Sequence, residues 1–99
     1  MLRHVLMFRF NDYSADEKEE VMNTFSEKLL ALKEFIPEIK YISTGKNFSK
    51  SPSAFDMIYE VHFESELELD VYRIHSEHVK VLEYMRSLNI KIAVVDYLA

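Results

Sequence analysis

Leu2-Arg3-His4-Val5-Leu6-Met7-Phe8-Arg9-Phe10 reads as a β-strand that is apolar on both faces. Successive strand side chains alternate, so Leu2, His4, Leu6, Phe8 and Phe10 point one way, while Arg3, Val5, Met7 and Arg9 point the other. Two further runs repeat the pattern. Phe55, Met57, Tyr59, Val61 and Phe63 share one face, with Asp56, Ile58, Glu60 and His62 behind them. Ile90, Ile92, Val94 and Leu98 alternate with Ala93, Val95 and Tyr97. A sheet solvated on one side alternates apolar with polar residues; here the second face is semi-apolar and needs a cover. The chain carries helices enough for one face only. A second copy of the sheet is the simplest cover for the other, so the sequence predicts a homodimer held by sheet-on-sheet packing.

The segments between the strands supply that single helical layer. After the strand over 2–10, Ser14 with Glu17 three residues on forms a capping box. A helix over about 15–34 follows, with Val21, Met22, Phe25, Leu29, Leu32 and Ile36 on one stripe. Pro37 ends it, since the residue before a proline leaves the helical region. A second strand spans 39–48, with Gly45 read as a bulge or a close approach. Ser49 to Ser53 form a loop, and the third strand covers 54–63. Ser65 is expected to cap a short helix over 66–74, a second helix to run over 75–88, and Asn89 to end it before the last strand, 90–98. The order β-α-β-β-α-β predicts a single α+β domain over 1–99, ferredoxin-like, with a four-stranded antiparallel sheet.

Composition removes several function classes. The 99 residues are 48% hydrophobic and 29% charged, with a net charge of −5. Such a chain is globular. There is no basic cluster and no tryptophan, which argues against nucleic-acid binding. With no cysteine there is no disulfide, thiolate nucleophile or zinc-cysteine site. A single glycine leaves no glycine-rich phosphate loop, and no nucleotide or other cofactor is expected. No apolar run approaches the ~20 residues of a membrane span, and Arg9 interrupts any signal-peptide core. The expectation is a soluble, cytoplasmic protein.

Several segments, in order along nearly the whole chain, resemble the stress-responsive α/β-barrel (Dabb) family of dimeric α/β barrels. They are His4-Val5-Leu6-Met7-Phe8-Arg9-Phe10, Ile36-Pro37-Glu38-Ile39, Gly45-Lys46-Asn47, Ala54-Phe55-Asp56-Met57, Phe63-Glu64-Ser65 and Tyr72-Arg73-Ile74-His75-Ser76-Glu77-His78. Ser76 stands where the family usually has proline. The resemblance implies a homodimer whose two sheets form one barrel. It also implies that, as in a plant polyketide cyclase branch, Tyr72 and His78 carry acid–base chemistry and His4 and His75 share their cavity. A histidine and a tyrosine of that branch are Met57 and Phe25 here, which makes the pocket more apolar.

The residues themselves give Tyr72, His75 and His78 neighbouring positions if their turns are helical. A neutral imidazole near its ordinary pKa can take a proton and return it, and a tyrosine hydroxyl can donate to a developing enolate oxygen. Of these three, the resemblance makes Tyr72 and His78 the catalytic candidates. His4, Phe8, Met57 and His75 would line a cavity between sheet and helices for a small apolar ligand. Each has a plainer role open to it: His75 as a helix cap, His4 as a satisfied core histidine, and the methionines as core filler. His62 is read as a solvated or dimer-contact residue, and Lys46-Asn47 as an edge contact between subunits. A metal is not expected, because the helical histidine spacing of metalloproteases is missing. Two functions stay open: a small-molecule-binding protein with cofactor-free lyase, cyclase or isomerase chemistry, and a non-catalytic stress-response protein whose role is the dimer itself.

Overall fold

Every other element packs on or pairs with the first strand or its neighbours. The computed structural model describes residues 1–99 and runs β1 (Leu2–Phe10), α1 (Ala15–Leu30), α2 (Leu32–Phe35), β2 (Tyr41–Lys46), β3 (Met57–Phe63), α3 (Glu66–Ile74), α4 (Ser76–Arg86) and β4 (Ile90–Leu98). The strands form one antiparallel sheet in the order β2-β3-β1-β4, the ferredoxin-like α+β arrangement. β1 pairs with β3 from Leu2↔Phe63 to Phe8↔Met57, and with β4 from Leu2↔Leu98 to Phe10↔Ile90. This register puts Leu2, His4, Leu6, Phe8 and Phe10 on one face with Met57, Tyr59, Val61 and Phe63.

The helices cover that face. Met22, Phe25 and Leu29 of α1, Leu32 of α2, Leu69 and Tyr72 of α3 and Val81 of α4 close the core over β1 and β3. Phe8 and Phe25 meet edge to face with ring centres 4.9 Å apart, a favoured aromatic geometry. No helix lies on the opposite face. There Met7, Ile58, Val95, Tyr97 and Tyr41 stay exposed. Half-buried His62 bonds Glu60 at 2.5 Å and stacks on Tyr41 at 4.6 Å. No helix is long and apolar enough to cross a membrane.

The bounds of β1, α3 and β4 follow the sequence reading; other details differ. The first helix stops at Leu30, and a one-turn helix, Leu32–Phe35, succeeds it after Ala31. Leu29, Leu32 and Ile36 are all buried across this break, so the apolar stripe does not register it. The Ser14–Glu17 capping box forms in full. Ser65 makes no capping bond; the Glu68 carboxylate reaches back to accept from the Glu64 N–H at 2.8 Å instead. Strand two is only Tyr41–Lys46, and Gly45 pairs with Ile58 without a bulge. A Cβ there would stand 3.3 Å from the Ile58 side chain, so the close-approach half of that reading holds. Strand three starts at Met57 because Asp56 leaves the ladder. Its N–H donates to the Phe8 carbonyl and its carboxylate accepts from the Phe10 N–H, both at 2.8 Å. Lys46 turns inward to α1, bonding Glu19 and, at 2.6 Å, Asn23. Asn47 bonds the Phe55 carbonyl at 2.7 Å. Both partners lie within the protomer.

Candidate active site

Tyr72 comes from the last turn of α3 and is 1% exposed. His4 of β1 meets its ring edge on, with centres 5.9 Å apart, and His78 of α4 packs at 4.1 Å. Both histidines are buried, at 8% and 9% exposure. The turn between the helices makes this meeting possible. His75 is extended (φ −62°, ψ 136°) and ends α3 while starting α4. Its Nδ1 accepts the Glu77 N–H at 3.1 Å, which caps α4. Without that break the chain would run on as one helix. With it, the first turn of α4 brings His78 back against Tyr72.

Most polar atoms in the cluster have a protein partner. The Tyr72 and Tyr59 hydroxyls bond at 2.8 Å. Burial, the largest influence, pushes both phenols upward, so they remain protonated donors at neutral pH. The His78 Nδ1 lies 3.1 Å from the Arg73 carbonyl. A carbonyl only accepts, so Nδ1 carries the proton and Nε2 holds the free lone pair. Burial lowers the His78 pKa below its ordinary value, which keeps the ring neutral and able to act as a base. The His4 Nδ1 donates to the Asp96 carboxylate, and this fixes His4 in the same tautomer. Asp96 in turn faces the Arg73 guanidinium at 3.6 Å. No fully buried side-chain nitrogen or oxygen lacks a partner. The Nε2 atoms of His4 and His78 have none, so both retain contact with solvent.

The remaining sequence candidates lie elsewhere. Phe8 packs on Phe25, and Met57 is buried at the far end of β3. His75 is occupied as a helix cap. Phe25 is wholly core, between Phe8 and Tyr84. No pocket of the protomer brings His4, Phe8, Met57, Tyr72, His75 and His78 together; Met57 lines a separate one with Met7, Phe48 and Phe55. A groove of about 290 Å³ between α3 and the end of β4 reaches Asp96 and Arg73. No group of three potential metal-ligating side chains converges anywhere. Asp96 and Tyr59 were not among the sequence candidates. Asp96 had a signal: it is the one charge at the Ile90, Ile92, Val94, Leu98 phase of β4, directly opposite His4.

The fold and this constellation can be set beside known proteins. A family model, the Stress Responsive A/B Barrel Domain, matches residues 2–99. The chain belongs to that family. Olivetolic acid cyclase of Cannabis sativa is 29% identical over 99 residues, spanning 97% of this chain and 94% of that protein. A dimeric ferredoxin-like protein of unknown function from Bacteroides fragilis superposes with a TM-score of 0.88 at 27% identity, over 99% of this chain and 95% of that one. The hydroxynitrile lyase of Passiflora edulis superposes with a TM-score of 0.83 over 99% and 92% of the two chains. At 17% identity it is evidence of fold alone. A stress-responsive A/B barrel of this kind thus has relatives that are dimeric and one that is a cyclase.

Proposed function

We propose that this stress-responsive A/B barrel is a homodimeric small-molecule-binding protein with cofactor-free acid–base activity of the lyase, cyclase or isomerase type. The observation that carries this is Tyr72 held between two imidazoles whose Nε2 atoms have no protein partner. His78 Nε2 takes a proton from carbon beside a substrate carbonyl. The electron pair moves onto the carbonyl oxygen, and the Tyr72 hydroxyl donates to the enolate that forms. With Tyr59 donating to the Tyr72 oxygen, one of the two directions their 2.8 Å contact allows, the Tyr72 proton is free to point at substrate. The enolate carbon then attacks a second carbonyl or expels a leaving group, and His78 returns the proton. Two sheets packed through their helix-free faces complete the barrel. The groove beside Asp96 is where the ligand enters.

Deuterium exchange beside the carbonyl of a medium-chain methyl ketone tests this by NMR. The expected acceleration over buffer is about 10²–10⁴-fold, the range of general base catalysis. It should vanish in His78→Ala and Tyr72→Phe. Exchange at the buffer rate, with no ketone-induced movement of the His4 or His78 ring signals, would leave the second reading. That reading is a non-catalytic dimer, and it draws on the absence of any cleft lined by His4, Tyr72 or His78.

A further inference from the structure

We infer that Arg73 is the positioning residue of the cluster: its main chain fixes one imidazole flanking Tyr72, and its side chain, through Asp96, fixes the other. The carbonyl of Arg73 accepts the His78 Nδ1 proton at 3.1 Å. Its guanidinium lies 3.6 Å from the outer oxygen of Asp96, whose other oxygen accepts from His4. One residue, next in sequence to Tyr72, thus sets the tautomer and ring plane on both sides of the phenol. A second contact steadies it: Nη1 bonds Asp70, one helical turn back, at 3.2 Å. Without Arg73, Asp96 would keep only its hydrogen bond from His4 and would be free to rotate into the groove it lines with Glu66 and Asp70.

The cation also acts on charge. Burial is the main influence that holds His78 below its ordinary value; the hydrogen bond to the Arg73 carbonyl opposes it, while the Arg73 guanidinium, with His4 and His75, adds to it. The guanidinium acts in the same direction on Tyr72. The groups facing the histidine pair are Tyr72 and Arg73 of α3, His75 at the turn, Asp96 of β4 and, behind Tyr72, Tyr59 of β3. Arg73 is the one permanent cation among them.

The consequence for turnover rests on the acid–base reading above, so the test reads the rings directly. In the full-length protein, the proton on His4 Nδ1 bonded to a carboxylate should give a downfield NMR resonance at neutral pH. In Arg73→Gln that resonance should be lost to exchange, and the His78 titration midpoint should move up by a few tenths of a pH unit, the size expected of a half-exposed charge interaction. Arg73→Lys should restore the midpoint, because it keeps the charge, but only part of the resonance, because the planar fork is gone. Arg73 is half exposed, so the fold should survive, and circular dichroism checks that it does. An Arg73→Gln protein with the His4 resonance and the His78 midpoint both unchanged would overturn the inference. So would a His78 shift of the same size in the Asp96→Asn background together with an unaltered His4 resonance in Arg73→Gln, since the side chain would then act through space alone. Failure of ketone exchange in the wild type would remove the catalytic reading and leave these ring measurements intact.

Discussion

Val94 and Val95 are neighbours on β4, are 53% and 54% exposed in the protomer, and point to opposite sides of the sheet. Val94 lies on the helix side, opposite Leu6; Val95 lies on the helix-free side, opposite Val5. Within one protomer, aspartate should cost about the same at either position. Strand propensity spans only ~1 kcal/mol, and both sites are open to water. If two sheets pack through the helix-free face, the symmetry ends. In Val95→Asp the new carboxylate would be desolvated at the sheet–sheet contact; its diagonal neighbour Arg3 already contacts the Tyr97 hydroxyl at 3.4 Å and would have to leave it to pair. An unpaired buried charge costs about 3–5 kcal/mol. At ~1.4 kcal/mol per decade that raises the dimer dissociation constant by at least two orders of magnitude, and a twofold dimer carries the change twice. Sedimentation equilibrium should therefore find Val95→Asp monomeric at micromolar concentration and Val94→Asp still dimeric. If the two variants dissociate alike, or both remain dimers, the sheet-on-sheet assembly is wrong.

Tyr72→Phe should orphan the buried Tyr59 hydroxyl and lower stability by about 1–3 kcal/mol in urea; adding Tyr59→Phe should recover much of the loss, and a double variant weaker than the single would refute the pairing. His78 should make stability depend on pH. Burial holds its folded pKa below the ordinary 6.5, so the unfolded chain takes up the proton first as pH falls through that window. Stability should decline there and be fully present above it. His78→Gln should flatten that part of the denaturation profile, and an unchanged slope would count against the buried neutral ring. Phe25→Ala should cost about 3–5 kcal/mol of stability, as for a buried aromatic removed from a closed core. A much smaller loss would mean that Phe25 borders an open pocket.

The long strands were legible because alternation over nine residues leaves one register in which the buried set stays together. The ends of β2 and β3 were not, since Asn47 and Asp56 keep strand-like bonds while leaving the ladder. The site was half legible. Tyr72 and His78 stand six residues apart, within reach of local reasoning once a turn is placed between them. His4 and Asp96 are separated by 92 positions, and only the pairing of β1 with β4 joins them. The cavity was not legible for a related reason. Alternation says which side chains face inward but not whether a pocket stays open among them.

The place of β1 in the sheet has a consequence for how the chain acquires its structure. The strand made first lies between two strands made much later, with β3 on one side and β4 on the other. During synthesis it can shelter under α1 early, but one hydrogen-bonding edge stays open until residues 90–98 have been made. Loops of this length close slowly, and pairing across nearly the whole domain makes folding sensitive to contact order. The nascent domain therefore spends most of its translation as an apolar strand with an open edge, the state in which chaperone capture and edge-to-edge aggregation compete. Docking of β4 ends that exposure, and in the same step carries Asp96 to His4.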